Sequence, residues 1–313
     1  MRPGLAAPWI ASRKWATFLL LDVSLPSPTE GLYRGCPVPL RLAELYPSPR
    51  LAIFTLGGDS VSTSFGANCI ALAGSAGTLV VDPLIAPAHA RLVAGALARR
   101  GFPPVTHVVV THHHTDHALG ASFFARRDAV VIAQRFCAQA MSREHAALIS
   151  SRRAMPALEG LFADAEPHQP QATFSEVYRI DLGDVHARAL HLGPGHTLGD
   201  CVVLLPSESA LVCGDLVLSG YHFNYEDAVL EGLPGALEAL RALPGELILP
   251  GHGPAGGLEL VEGQARYHRE VAELVRGTAT DDEARRAIRA RYPEYLLEVA
   301  IASALLRLRR SPC

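Results

Sequence analysis

The residues best suited to chemistry lie in one short run. Residues 111–117 read Thr-His-His-His-Thr-Asp-His and directly follow the apolar stretch THVVV at 106–110, whose β-branched content predicts a buried strand. Imidazole and carboxylate groups are costly to bury without partners, and one divalent metal ion satisfies several of them at once. Histidine nitrogens and carboxylate oxygens are ordinary zinc ligands. We therefore predict a metal site at the end of this strand.

The spacing within the run divides its members into two sets. His112 and His114 are two residues apart, so they face the same side of an extended backbone. Asp116 and His117 follow a turn and can face a second position nearby. His113 is predicted to point away and to be structural.

This run resembles the HxHxDH motif of the metallo-β-lactamase superfamily, here His112-x-His114-x-Asp116-His117. Further segments resemble the other motifs of that family, in the family's order and each after a predicted strand. They are Val81-Asp82-Pro83, Gly193-Pro194-Gly195-His196-Thr197, Cys213-Gly214-Asp215 and Pro250-Gly251-His252-Gly253. Glycines beside His196 and His252 allow the tight backbone paths that ligand loops need. The resemblance spans about residues 51–257.

The resemblance implies a site for two zinc ions, although iron and manganese also suit these ligands. It assigns His112, His114 and His196 to the first ion. It assigns Asp116, His117 and His252 to the second ion, with Asp215 bridging both. Asp82 is expected to support the ligands from outside the set. Three residues shortly after Asp215 are candidates to line the substrate site: Tyr221, His222 and Asn224.

The family's chemistry implies a hydrolase in which a metal-bridging hydroxide attacks a small ester, thioester, lactone or β-lactam. Asp116 is the expected catalytic residue, because it can orient the nucleophile and carry a proton as well as bind metal. A serine triad of the α/β-hydrolase kind is not expected, because the chain has no GxSxG motif.

Other activities on the same fold are weighed by the ligand set. An iron-dependent oxidoreductase of the persulfide dioxygenase kind is the alternative, but it uses one iron and fewer ligands. The flavodiiron kind has a glutamate where this chain has His114. A non-catalytic relative would be expected to lose ligands, and none is lost here. The short separation of Asp215 and His252 leaves no room for the inserted domain of the β-CASP nucleases.

Two β-rich halves, each with helices, are expected to position these residues. Strands are predicted at 51–56, 68–74, 78–82, 106–110 and 129–133, and again at 201–205, 210–215 and 246–249. Helices are predicted at 87–100, 134–150 and 234–243. This order fits two packed sheets covered by helices, and the resemblance implies a four-layer αββα sandwich of the α/β (α+β) class.

Three regions are predicted along the chain. Residues 1–50 hold eight of the 23 prolines and are expected to form an extended arm on the core. Residues 51–257 form the metallo-β-lactamase core. Residues 258–313 form a helical segment packed on it, with a second periodic stretch at about 281–309, and its helices would cover the site or join a homodimer. The stretch 136–176 suggests a lid, in which Phe162 and Phe174 would line a pocket or belong to the ordinary core.

The overall composition argues against two classes of partner, nucleic acids and membranes. A net charge of -3 gives no sign of the basic face that nucleic-acid binding requires. No stretch supplies the roughly 20 apolar residues of a membrane span. The six cysteines are scattered, which suits reduced thiols. We expect a cytoplasmic enzyme with a small-molecule substrate.

Overall fold

Two β-sheets form the centre of the structure, a computed structural model that describes residues 41–310. The first sheet has seven strands in chain order, antiparallel from β1 to β4 and parallel from β4 to β7. They are β1 (Ala43–Leu45), β2 (Leu51–Thr55), β3 (Asn68–Gly74), β4 (Gly77–Val81), β5 (Val105–Val110), β6 (Val130–Gln134) and β7 (Ala172–Phe174).

The second sheet has five strands in the reverse of chain order, β12-β11-β10-β9-β8. They are β8 (Val177–Asp181), β9 (His186–Leu190), β10 (Val202–Leu205), β11 (Ala210–Leu218) and β12 (Leu247–His252). The strands are antiparallel except for the parallel pair β11 and β12. An isolated bridge between Ala67 and His252 brings the two sheets together near the carboxyl end of β12.

Helices cover both sheets. Those that follow strands of the first sheet are α1 (Pro87–Arg99), α2 (Thr115–Ala118), α3 (Ala121–Ala125), α4 (Arg135–Arg153) and α5 (Glu159–Phe162). Those of the second half are α6 (Leu233–Arg241), α7 (Glu259–Arg276), α8 (Asp281–Arg291) and α9 (Ile301–Leu308). The helix α1 begins with a proline, whose fixed φ suits a first helical turn.

Alternation along the strands creates three apolar layers. On β2, Leu51 and Ile53 face the second sheet, whereas Ala52 and Phe54 pack under α1 and α3. On β10, the same period of two sends alternate residues to the other sheet and to the helices α6, α7 and α9. The order is therefore helix, sheet, sheet, helix, which confirms the predicted four-layer sandwich.

The predicted elements of the core match the structure closely, and the periodic stretch predicted in the tail is helical but interrupted. The periodic stretch at 281–309 is two helices, α8 and α9, with an irregular connection between them. Tyr292 precedes Pro293 there, and a residue before proline is disfavoured in helical conformation. The strand predicted at 210–215 continues to Leu218.

Some expectations concern residues outside the described range. The arm predicted at 1–50 lies there except for its last ten residues, which include β1 paired with β2. The four cysteines within the range, Cys69, Cys137, Cys201 and Cys213, are buried free thiols. Among residues 41–310, no helix is both long and apolar enough to cross a membrane.

Candidate metal centre

The ends of strands from both sheets meet at one place, and the predicted ligands lie there. The strand β5 leads into residues 111–117, β11 contains Asp215, and β12 ends at His252. Three groups of metal-type ligands result, each with ligand atoms within 4.8 Å of one another, and two of them contain the predicted ligands. The first group is His112, His114, His196 and Asp215. The second group is Asp116, His117 and His252.

Asp215 lies between the two groups. Its Oδ2 is 3.6 Å from Nε2 of His196 and 3.9 Å from Nε2 of His112. On the other side, Oδ1 is 3.2 Å from Nε2 of His117, and Oδ2 is 3.4 Å from Nε2 of His252. The structure thus brings all seven predicted ligands into one buried cluster, with this carboxylate at the position expected of a bridge.

The histidines are held from behind by hydrogen-bond partners outside the cluster. Nδ1 of His252 donates to the carbonyl oxygen of Phe65 at 3.0 Å. Nε2 of His114 donates to Oδ2 of Asp227 at 2.9 Å. These partners accept, so the remote nitrogen of each ring carries a proton and the other nitrogen faces the cluster.

Asp82 fixes two more rings. Its Oδ2 accepts from Nδ1 of His117 at 2.9 Å and from the hydroxyl of Thr111 at 2.7 Å. Because that hydroxyl donates to Asp82, it accepts from Nδ1 of His112 at 3.0 Å. Four of the five rings therefore turn their other nitrogen into the cluster, where it can bind a metal ion once it carries no proton.

The charges of the second group differ from those of the first. Burial lowers the pKa of His252, but the carboxylates of Asp215 and Asp116 outweigh it and raise that pKa to about 9. Burial raises the pKa of Asp116, but the imidazoles of His117 and His252 outweigh it and lower that pKa to about 2. Protons on histidines thus balance the buried carboxylates, and a divalent ion would take the place of those protons.

In the first group, nearby carboxylates do not offset the effect of burial on the pKa values of two histidines. Burial lowers the pKa of His196 to about 3 and lowers the pKa of His112 as well. Nε2 of His112 is buried, and no hydrogen-bond partner for it exists within residues 41–310. A buried nitrogen lone pair without a donor is costly, and a metal ion is the partner that fits it. The residues present therefore fit a metal ion at each group.

Backbone geometry near His252 is adapted to a close approach. A Cβ on Gly251 would overlap Oδ1 of Asp215, so only glycine fits there. Nδ2 of Asn68 donates to the carbonyl oxygens of Pro250 and Gly253 at 2.9 and 2.7 Å, and it holds the loop in place.

Sequence reasoning missed two supporting residues. Asp227 accepts from His114 over a separation of 113 residues, and no motif around it could have revealed this contact. Asp200 is buried and accepts from the hydroxyl of Thr197 at 2.7 Å, which closes the His196 loop. Burial raises the pKa of Asp200 to about 7, although the Thr197 bonds oppose this. The three-residue spacing of Thr197 and Asp200 was a usable signal for a side-chain turn.

The predicted lining residues separate into two kinds. The ring of Tyr221 lies 5.2 Å from the ring of His252, beside the cluster. Asn224 is partly exposed, and its Oδ1 accepts from the backbone of Glu226. His222 is fully buried, and its Nδ1 meets the hydroxyl of Tyr267 at 2.9 Å. Its contacts are with tyrosines of the C-terminal helices, so its placement does not support the expected lining role.

Other candidate residues lie apart from the two ligand groups. His113 turns toward α4, with Nε2 3.3 Å from Oε2 of Glu144, and it forms the third ligand-type group with His114 and Asp227. Phe162 and Phe174 are buried in separate apolar clusters, which agrees with their ordinary core alternative. A cavity of about 840 Å³ lies between α6 and α7, and none of the seven ligands lines it.

Comparisons with known proteins agree with this geometry. The model of the metallo-beta-lactamase superfamily matches residues 63–252. A hydroxyacylglutathione hydrolase of Acidiphilium cryptum is 30% identical over 235 residues, covering 72% of this chain and 80% of that protein. The alpha subunit of a 2,4-dinitroanisole O-demethylase of Nocardioides sp. is 26% identical over 188 residues, covering 58% of this chain and 51% of that protein.

A solved structure shows the same fold. The metallo-beta-lactamase from Pontibacter korlensis superposes with a TM-score of 0.59 at 20% identity, over 71% of this chain and 96% of that one. The chain spans about half the length of several curated relatives that it matches. Since the family model covers more than half of the chain and includes all seven candidate ligands, the chain belongs to the metallo-β-lactamase superfamily.

Proposed function

We propose that this chain is a metal-dependent hydrolase that binds two zinc ions and cleaves a small ester, thioester, lactone or β-lactam. The observation that carries the proposal is the orientation of the histidines. Four rings donate their remote N–H to fixed acceptors, and their near nitrogens converge on two carboxylates in a buried cluster. A cluster that served packing alone would have no need of ring nitrogens that converge on buried carboxylates.

Each residue of the cluster has a proposed role. His112, His114 and His196 would hold the first ion. Asp116, His117 and His252 would hold the second ion, and Asp215 would serve both. Two zinc ions bound there would acidify a water molecule and polarise the substrate's carbonyl oxygen.

Asp116 is the proposed proton carrier. Its side chain is 13% exposed, compared with 9% for Asp215, so it is the carboxylate of the cluster that is more open to solvent. It is ionised near neutral pH, since its pKa is lowered to about 2. Its Oδ2 can therefore orient a water molecule and receive its proton. The proton then passes to the departing thiol or alcohol, so that water adds to the acyl carbon as the acyl bond breaks.

Thioesters are the first substrate class to test. The relatives named hydroxyacylglutathione hydrolase act by name on an acyl derivative of glutathione, and one of them matches 72% of this chain. Leu198, two residues after His196, is 50% exposed and offers an apolar contact for an acyl group at the edge of the cluster.

The test is metal content by mass spectrometry on the full chain, together with hydrolysis of a thioester, a lactone, nitrocefin and a phosphodiester. We expect about two zinc ions per chain and turnover of an acyl substrate, with Asp116→Asn losing most of the turnover. His186→Gln, which changes an exposed histidine of β9, is the matched control and should behave like wild type. One iron per chain without hydrolysis would instead support the oxidoreductase alternative.

A further inference from the structure

The segment that carries Asp227 has no regular structure of its own. It follows β11 and runs from residue 219 to the start of α6 at Leu233. The Asp227 side chain is 45% exposed, so packing alone does not fix its position. Its Oδ2 nevertheless meets Nε2 of His114 at 2.9 Å, which keeps Nδ1 of that ring facing the first ligand group.

The C-terminal helix α9 holds this segment on both sides of Asp227. Arg307 donates from Nη1 to the carbonyl oxygen of Glu226 at 2.5 Å and from Nη2 to that of Ala228 at 2.7 Å. The two held carbonyls belong to the immediate neighbours of Asp227. A planar guanidinium can span two acceptors in this way, whereas an ammonium group is a single point charge.

Other hydrogen bonds hold the same segment at positions before Asp227. Oγ of Ser303 on α9 accepts from the backbone N–H of Tyr225 at 2.8 Å. The connection between α8 and α9 contributes Leu296, which donates to Gly220 and accepts from the backbone of His222, both at 2.9 Å. These contacts come from residues beyond 252, where the match to the family model ends.

We propose that Arg307 is a positioning residue of the metal centre: it fixes the backbone around Asp227, and through Asp227 it fixes the ring of His114 for ligation. The inference rests on the metal-binding part of the proposed function. The C-terminal helix α9 would then contribute to metal binding at the first ligand group. Partners that orient ligands in this way typically contribute 10- to 100-fold to metal affinity.

The test measures the two stepwise zinc dissociation constants of the full chain by competition with a chromophoric chelator. Arg307→Met should weaken one of the two steps by about tenfold, and Asp227→Asn should weaken the same step by about 10- to 100-fold. The double variant should resemble Asp227→Asn alone, because both changes act through one contact. Additive losses, or wild-type affinity in Arg307→Met, would overturn the inference.

Arg309→Met is the matched control. Arg309 is two residues further along at the end of α9, but it binds Asp281 and the carbonyl of Thr278, far from Asp227 in the hydrogen-bond network. It should leave both zinc constants unchanged. A loss equal to that of Arg307→Met would mean that any loosening of the tail affects the site, and the specific role would be rejected.

Two further measurements separate positioning from folding. The absorption spectrum of the cobalt-substituted protein should change in Arg307→Met and stay unchanged in Arg309→Met. If Arg307→Met fails to fold, Arg307→Lys and Ser303→Ala replace it, and both should weaken the same zinc step. If the wild-type chain binds no metal, both this inference and the proposed function are wrong. If the chain binds metal with an affinity that does not depend on Arg307, only this inference is wrong.

Discussion

At the scale of single residues, the cluster depends on which nitrogen of each ring carries the proton. Thr111 sets this for His112, because its hydroxyl donates to Asp82 and so accepts from Nδ1 of the ring. Thr111 and His112 are adjacent in sequence. The direction of their hydrogen bond is fixed only because β4 places Asp82 beside the Thr111 hydroxyl. The hydroxyl therefore links two strands to one ligand.

Replacing Thr111 with valine should weaken zinc binding by about tenfold, because the ring of His112 loses the acceptor that fixes its tautomer. Chelator competition measures the effect. Thr106→Val is the matched control, since Thr106 makes the same bond to the next residue, His107, at 2.9 Å on the same strand but away from the cluster. Equal losses in the two variants would contradict the role given to Thr111.

Asn68 should contribute to the stability of the fold even when no metal is bound. Its Nδ2 satisfies the carbonyls of Pro250 and Gly253, both close to His252. In Asn68→Ala these buried oxygens lose their donor, and the free energy of unfolding should fall by about 1–3 kcal/mol. Urea titration in excess chelator measures this. An unchanged midpoint would show that water replaces the amide at no cost.

The seven candidate ligands could be identified from sequence because each lies in a short motif at or near the end of a recognisable apolar run. Asp227 was not predictable, since it lies in a segment without a motif and its side chain contacts His113 and His114, the latter 113 residues earlier. His222 was misplaced for a related reason. Its nearness to Asp215 in sequence favoured the site, but the tyrosines of the C-terminal helices bury it elsewhere.

At the scale of elements, the strands were predicted best, because β-branched runs and turns mark their ends locally. The break between α8 and α9 was missed, although Pro293 marked it. What fixes the irregular connection is tertiary: Leu296 pairs with the segment at 220–222 through backbone hydrogen bonds. Local periodicity continues across such a break and cannot report it.

Helix α7 offers a test of stability that leaves the site intact. Gly263 lies inside this helix, and a Cβ there would find only the end of Arg266 at 3.8 Å. Gly263→Ala should therefore raise the free energy of unfolding by about 0.5–1 kcal/mol, because alanine loses less backbone entropy in a helix. Denaturant titration measures the gain. Gly251→Ala is the contrasting variant, and it should destabilise the fold because it overlaps Asp215.

The contact between α7 and the end of α8 should depend on pH. Hydrogen bonds from Arg291 and Tyr292 lower the pKa of Glu270 to about 2. A carboxylate with a lowered pKa stabilises the fold above its unfolded value near 4.5, and the contribution is lost as pH falls from there toward 2. Glu270→Gln should therefore flatten the stability profile across that window. Identical slopes for the variant and wild type would show that this ion pair contributes nothing.

At the scale of the whole molecule, the four layers converge on a centre that is buried and densely charged. The layers can be read from the alternation along β2 and β10, which assigns each strand face to a neighbour. The way the two sheets meet at Ala67 and His252 could not be predicted, because it depends on the packing of elements far apart in the chain. Metal binding in such a centre is coupled to the stability of the entire fold.

Zinc should therefore stabilise the whole chain. A ligand that binds only the folded state at 100 times its dissociation constant adds about 2.7 kcal/mol, which corresponds to a rise in Tm of about 5 °C for a domain of this size. Thermal unfolding with chelator and with added zinc measures the shift. The double variant His112→Ala/His252→Ala removes one ligand from each group and should show no rise. If the Tm of the wild-type chain does not change with zinc, protons on the histidines alone balance the charge of Asp215. The proposed metal centre would then be wrong.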